Sequence, residues 1–403
     1  MLLSHELGHL GLPIIGINSF GYSDSYASKT TIQYYEAVET TDLGQDLLRR
    51  LVEDPRVTEM SGQLIPTGLN SWAGFDVKLM ASWWMMRSNQ AGPAQADAEL
   101  EQFLESDEVD VIVSHWIVGL NPSKIMALGG GFDLFPLADM PDSDSKERYS
   151  QAINKFNRLD GPVPRAAICK TVKIKKIKVE NTDEIFTISN IVLSEIDRLI
   201  LILNCITGIV CLPWVPTSQL PASVPTGIIG TSDLRWPRND FSYQKIVDVT
   251  DLDEPLVASL LAGFTKLDKN WARRVSMALD RLAIAKATNN IQSAALDLGI
   301  SLEMVLLAGE GETSQIRHKF STRASWLIGC DGQERLILFK SFQRIYDDRS
   351  KVAHEGFSDN LQRCNFQHSG KYLTDNFALA ERIFRKIIIN GPPTSWNALV
   401  LDA

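Results

Sequence analysis

Several patterns that mark well-known kinds of site are missing from this 403-residue chain. The five cysteines are odd in number and show no CxxC spacing. They argue against a disulfide framework or a cysteine zinc site, and they favour a reducing cytoplasm. The glycines at 129–131 form neither a GxGxxG run nor a Gly-Lys-Ser/Thr loop. A nucleotide cofactor is therefore not expected.

Long apolar runs are also scarce. Residues 199–215 carry no charge over 17 positions, which is the lower limit for a membrane span. Asn204, Gly208 and Pro213 interrupt this run, and its Ile and Val content favours buried strands. No secretory signal precedes the polar segment that begins at Gly21. The sequence thus predicts a soluble, cytoplasmic protein without a membrane partner.

The charge of the chain is unevenly distributed. The formal net charge is −9, yet residues 266–355 contain 14 Lys and Arg against 11 Asp and Glu. This segment carries +3 and the remainder −12. A mildly basic segment on an acidic chain indicates a local contact with a polyanion.

The apolar spacing predicts an α+β multidomain protein. Residues 1–253 are expected to form a mixed α/β sensing or regulatory region, with a possible sub-boundary near 140–165 and a linker at 216–227. Residues 254–395 are expected to form an all-α up-down bundle. The predicted helices of this bundle lie near 254–265, 270–287, 290–307, 313–329, 333–355 and 371–389. In the fifth of them, an apolar stripe runs from Leu336 to Val352 and should pack against its neighbours.

Arg349 and His354 stand five residues apart, late in that fifth helix. Arginine offers a permanent, forked cation for a phosphate, and histidine can act as acid or base near neutral pH. RNA supplies its own nucleophile, the 2′-hydroxyl, so a cleaving protein needs only proton transfer and charge stabilisation. On a regular helix the two side chains lie about 140° apart. They converge only if the helix loosens near Gly356, a C-cap signal.

The segments 272–307, 313–329 and 346–356 (YDDRSKVAHEG) together resemble the ApeA-like branch of HEPN domains. The similarity covers roughly residues 265–390, about a third of the chain. One helix carries the run DLGISLE at 297–303, and a Tyr-x-x-Arg-Ser-x-x-x-His signature follows it. The signature residues here are Tyr346, Arg349, Ser350 and His354, with Glu355 inserted before the glycine.

The resemblance implies a helical domain that dimerises and acts as a metal-independent endoribonuclease. Many relatives are toxins or effectors of anti-phage defence, and tRNA is a common target. Arg349 and His354 would be the catalytic pair, with Ser350 and Tyr346 in supporting positions. Asp297 and Glu303 are candidate orienting carboxylates, or alternatively helix-surface or capping groups. RNA, a second copy of the chain and a phage-derived or regulatory trigger would be the partners. The alternative is a catalytically silent HEPN module that binds RNA or protein.

A competing motif opens the chain, where His5, Glu6 and His9 form an HExxH string. On a helix this string places two imidazoles on one face for zinc, with Glu6 as general base. Only four residues precede it, glycines and a proline weaken the helix, and no third ligand is evident. A zinc peptidase remnant therefore stays the less favoured enzyme hypothesis, and no metal or other cofactor is expected.

Overall fold

The computed structural model describes residues 29–69, 71–141, 146, 149–150, 153, 163–177, 183–225, 246–308, 315–362 and 366–401. The helices are α1 (Lys29–Thr40), α2 (Asp42–Glu53), α3 (Pro55–Glu59), α4 (Val77–Ala91), α5 (Pro93–Glu105), α6 (Asp183–Leu203), α7 (Glu254–Lys266), α8 (Lys269–Ala287), α9 (Ile291–Leu306), α10 (Ile316–Ile328), α11 (Gly332–Glu355), α12 (Asp359–Gln362), α13 (Phe366–Asn390) and α14 (Trp396–Leu401). The strands are β1 (Leu64–Gly68), β2 (Ser71–Gly74), β3 (Glu108–Val118), β4 (Leu120–Pro122), β5 (Met126–Gly129), β6 (Phe132–Pro136), β7 (Ala166–Lys175), β8 (Leu212–Gln219) and β9 (Val247–Val249).

The described strands all lie before residue 250, and the described part of the chain from 254 onward is helical. The predicted mixture of α and β structure, with a helical C-terminal region, is therefore confirmed. The expected helices of that region begin and end within a few residues of the observed ones, apart from α13, which begins at Phe366. Local signals explain the agreement at α8 and α11, because Asp268 and Asp331 accept N-cap hydrogen bonds and Gly356 provides the left-handed C-cap of α11.

The main sheet has the strand order β5-β6-β7-β3-β8, and its pairs are antiparallel. β3 is the long central strand, pairing with β7 on one side and β8 on the other. Its residues Val111, Val113 and Ile117 are almost fully buried. The sheet joins the same hydrophobic core as helices α4 to α9 and α13.

Two expectations about residues 199–227 are wrong. Residues 199–203 form the last turn of α6 rather than a strand, and only from Leu212 does the chain enter β8. A continuous apolar run does not distinguish a buried helix from a buried strand, which explains the error. The expected linker also fails at residues 216–219, which belong to β8. β8 is the edge strand of its sheet, where prolines such as Pro216 are tolerated.

The helical region packs as antiparallel neighbours. Ser301 on α9 donates its hydroxyl to the Ala278 carbonyl of α8, and further along the pair Asp297 of α9 meets Arg281 of α8. α10 and α11 likewise run antiparallel, with the Phe320 and Phe342 rings edge to face. Short connections between these helices enforce the arrangement.

Side chains of a buried ion pair in the helical region, and of a neighbouring arginine, contact the region that precedes it. Lys286 on α8 lies 2.7 Å from Glu381 on α13, and the two side chains are 4% and 1% exposed. Lys286 also donates to the carbonyl of Asn204, just after α6, at 3.1 Å. Arg385 donates to the Cys205 carbonyl at 2.7 Å. The expected boundary at 253/254 is therefore crossed by a shared core and by shared polar contacts.

Among the described helices, none combines the length and the apolar character that crossing a lipid bilayer requires. Trp83 and Trp84 of α4 are almost fully buried in the core. They act as packing residues of the N-terminal helices.

Candidate active site

Helix α11 presents the residues of the Arg349–His354 motif. The Asp331 carboxylate accepts the Glu334 N–H at its start, and the Gly356 N–H bonds to the Val352 carbonyl at its end. The buried face includes Phe342 and Ile345, so the predicted apolar stripe is confirmed over the middle of the helix. Leu336 does not belong to it, since this side chain is 55% exposed.

Arg349 points from α11 towards α9, where Glu303 receives it. One terminal guanidinium nitrogen lies 2.7 Å from a Glu303 carboxylate oxygen. The two side chains are 24% and 19% exposed, so the pair is half-buried. The Nε of Arg349 is buried and has no hydrogen-bond partner within the described chain. The guanidinium thus has one carboxylate contact and retains donors for a further acceptor.

Gly299 on α9 allows the close approach of α11 at Arg349. A Cβ built at Gly299 would lie 2.4 Å from both Cβ and Cγ of Arg349. Real Cβ contacts are never this short, so α9 and α11 can pack at this distance only with glycine at 299. The sequence signal was present in the run 297–303, but its meaning depends on the neighbouring helix.

Burial raises the pKa of the Glu303 carboxyl above its ordinary value, and the positive charge of Arg349 opposes this rise. The pKa of Tyr346 is also raised, first by burial and then by the negative charge of Glu303. Tyr346 stands one helical turn before Arg349, with its ring 5.6 Å from that of Phe320. Tyr346 is thus a packing residue beside the Arg349–Glu303 pair.

The two candidate orienting carboxylates lie on different faces of α9. Asp297 faces α8 and forms an ion pair with Arg281 at 3.1 Å. Burial raises the pKa of Asp297 despite the Arg281 charge. Six residues separate Asp297 from Glu303, which is about 120° around a helix. The structure therefore brings Glu303 to Arg349 and keeps Asp297 away from it.

His354 is exposed in the last turn of α11. Within the part of the chain that the structure describes, it has no hydrogen bond or ion pair. The expected loosening of the helix is absent, because α11 continues as α-helix to Glu355. Arg349 and His354 consequently remain on sides of α11 about 140° apart. Ser350 is half-buried, and Glu355 is exposed.

Asp348, which directly precedes Arg349, is buried at 1% exposure. The Ser358 hydroxyl donates to Asp348 at 2.8 Å, and the Ser358 N–H donates to the Gln292 side chain at 3.0 Å. These bonds fasten the segment after α11 to α9 and α11. Helical spacing from Ile345 and Val352 could have indicated this burial. The neighbouring Asp347 instead forms a two-bond pair with Arg317.

The HExxH residues His5, Glu6 and His9 lie outside the described residues. His115 is nearly buried on β3, 3.1 Å from Asp197. Across the described residues, His, Cys, Asp and Glu side chains do not gather in threes that could hold a metal ion.

No family model, no curated protein and no solved structure matches this chain. The resemblance to HEPN domains therefore stays a prediction that depends on the residues of the motif and on their placement in α9 and α11.

Proposed function

We propose that this protein is a metal-independent endoribonuclease of the HEPN type. The observation that carries the proposal is the exposed face of α11. Lys340, Arg344, Lys351 and His354 follow each other at spacings that place them on one side of the helix. Asp347 lies on the same side, but Arg317 neutralises it at 2.6 Å. A polyanion on this cationic face would meet the imidazole at its end.

The chemistry needs only groups of this chain and of the substrate. His354 deprotonates the 2′-hydroxyl, or protonates the departing 5′-oxygen. The hydroxyl oxygen attacks the adjacent phosphorus, and the bond to the 5′-oxygen breaks. Arg349 stabilises the charge that develops on the non-bridging oxygens. The products are a 2′,3′-cyclic phosphate and a 5′-hydroxyl, with Tyr346 and Ser350 beside the pair in supporting positions.

A homodimer is part of the proposal. One chain offers a single motif histidine, while acid–base cleavage uses two proton-transfer groups, and the Arg349 and His354 of one chain diverge. A two-fold axis that joins two copies at the ends of α11 would place two such histidines in one cleft. Cleavage should then depend on protein concentration below the dissociation constant of the dimer.

The biological role we propose is that of a toxin or anti-phage effector in the cytoplasm, with tRNA as a target. Such an enzyme needs control, and the acidic region before residue 254 is the proposed gate, responding to a phage-derived or regulatory trigger. The Lys286 contacts with Glu381 and Asn204 support this coupling, because they connect that region with two helices of the bundle.

The test is incubation of wild type and His354→Ala with total tRNA in EDTA, with mapping of the cut ends. His318→Ala is the matched control, because His318 is exposed on the neighbouring α10 but stands outside the motif. Wild type and His318→Ala should cut and leave cyclic phosphates, while His354→Ala should not. Equal cutting by all three proteins, or cutting that EDTA abolishes, would contradict the proposal.

A catalytically silent RNA- or protein-binding module is the second candidate. The specific observation in its favour is the Arg349–Glu303 ion pair, which gives the arginine a structural role within one chain. This candidate predicts RNA or protein binding without any cut ends, and equal behaviour of wild type and His354→Ala.

A further inference from the structure

An open groove lies between the first half of α8 and the last turn of α9. Its volume is about 480 Å³, and it is lined by Asn270, Arg273, Arg274, Met277 and Met304. The four α8 residues stand at spacings of three and four, so they share one face of the helix. Met304 of α9 supplies the opposite wall. The groove is thus a product of the α8–α9 contact and lies outside the Arg349–His354 motif.

The two groove arginines are exposed, and neither has an ion-pair or hydrogen-bond partner within the described residues. Arg281, Arg317 and Arg349 in the same helical region all pair with carboxylates. Lys266 and Lys269 add two exposed positive charges just before the groove. Asp268 is the single acid at 266–279, and its carboxylate caps α8 by accepting two backbone N–H groups. The groove therefore offers cations in excess of anions to a negatively charged ligand.

The other lining atoms suit a flat, partly apolar group. Met277 is 47% exposed, although it is a large hydrophobic residue, and Met304 is half-buried. Thioethers are polarisable and adapt their shape to aromatic rings. The Asn270 amide carries both a donor and acceptors, which the edge of a base can use. A nucleotide fits this groove, because its phosphate can contact the arginines and its base can pack against the methionines.

We propose that this groove binds one unstacked nucleotide of a single-stranded RNA, with Arg273 and Arg274 on its phosphates. Duplex RNA keeps its bases stacked inside the helix and would not deliver one to the methionines. The groove adjoins the candidate site, because Met304 directly follows Glu303, the partner of Arg349. The inference rests on the proposed function for its choice of RNA, and it adds a substrate-binding site beside the residues of the cleavage chemistry.

The test uses the full chain with His354→Ala as background, so that RNA stays intact during binding. Fluorescence anisotropy with labelled oligouridine is measured over a range of salt concentrations. Arg273→Gln/Arg274→Gln should weaken binding by on the order of tenfold. It should also lower the slope of log K against log salt by about 1.4, because about 0.7 is lost for each single-strand phosphate contact. The matched control is Arg49→Gln/Arg50→Gln, an adjacent arginine pair on α2 in which both arginines pair with Asp46.

Equal affinity of the groove variant and its background protein would overturn the inference. So would equally tight binding of an RNA duplex, or displacement of the oligouridine by polyglutamate of the same charge. Failure of the proposed function is a separate result, read from cut ends in wild type. Oligouridine binding that depends on the two arginines, without cleavage by wild type, would support the nucleotide-binding groove and contradict the proposed ribonuclease activity. Cleavage by wild type, together with unchanged oligouridine binding in Arg273→Gln/Arg274→Gln, would support the ribonuclease activity and contradict the nucleotide-binding groove.

Discussion

Gly299 on α9 lies directly beneath the aliphatic stem of Arg349 on α11. A Cβ at residue 299 would come within 2.4 Å of two Arg349 side-chain carbons, which belong to a second helix and not to a loop. The same approach brings the guanidinium to Glu303, one helical turn further along α9. The position of the candidate catalytic arginine is therefore set by a glycine that has no chemistry of its own.

Gly299→Ala should destabilise the fold. The added methyl group must push α9 and α11 apart, and overpacking of this kind costs about 1–3 kcal/mol. The gain in helix propensity from glycine to alanine is about 1 kcal/mol, so a net loss is expected. Urea denaturation measures the difference. Gly332→Ala is the control, because a Cβ there meets nothing within 4 Å, and it should be neutral or stabilising. Equal stability of both variants would contradict the close packing at Gly299.

Glu303→Gln should change how stability depends on pH. Burial raises the pKa of Glu303 in the folded state, so the folded state binds this proton more tightly than the unfolded state. This contribution is fully present below the ordinary value of 4.5 and is lost as pH rises through the raised value. Glutamine does not ionise, so the variant should lose less stability over that range.

Denaturation at a series of pH values between about 4 and 7 compares the two proteins. Glu355→Gln serves as the control, since this glutamate of α11 is exposed to solvent. A stability difference between Glu303→Gln and wild type that stays constant with pH would show that burial of this carboxyl is not significant.

Lys286→Met should be strongly destabilising, because it leaves the Glu381 charge buried without its partner. Burial raises the pKa of Glu381 and lowers that of Lys286, while the attraction between the two charges opposes both shifts. Breaking such a pair costs about 3–5 kcal/mol, whereas replacing both partners is often close to neutral. Lys286→Met/Glu381→Met should therefore be more stable than the single variant in urea denaturation.

The exposed pair Arg317–Asp347 provides the comparison, because its side chains are 48% and 37% exposed and replacement of Arg317 by Met should cost less than about 1 kcal/mol. Similar losses for Arg317→Met and Lys286→Met would mean that burial does not increase the cost of breaking the Lys286–Glu381 pair.

Arg349→Lys should separate the catalytic role of this residue from its structural role. Lysine keeps a positive charge for Glu303, so the unfolding midpoint should stay near that of wild type. It lacks the planar fork that holds a phosphate through two bonds. Removing one donor to a developing oxyanion commonly lowers kcat by about 10²–10³ fold, and a loss of this order is expected in tRNA cleavage. Arg87→Lys, in the half-buried Arg87–Glu99 pair of α4 and α5, should retain cleavage within a few fold, and equal rates for both variants would exclude Arg349 from the chemistry.

The sequence by itself determined most of the helical region. Helix positions follow from signals within a few residues, such as the carboxylate of Asp331, the glycine at 356 and the spacing of Phe342, Ile345 and Val352. It also located the motif residues on α11, because a helical position depends mainly on local spacing. It misassigned residues 199–203 and 216–219, since apolar runs and edge-strand prolines take their conformation from neighbouring elements.

Only the tertiary structure decided which groups meet. Of the two candidate carboxylates, Glu303 faces Arg349 while Asp297 faces Arg281, because the contact faces of α9 are fixed by the helices on either side. The burial of Asp348 and the grouping of Arg273 and Arg274 with Met304 arise in the same way. Such pairings join residues far apart in the chain, so helical spacing gives the face of each residue but not its partner.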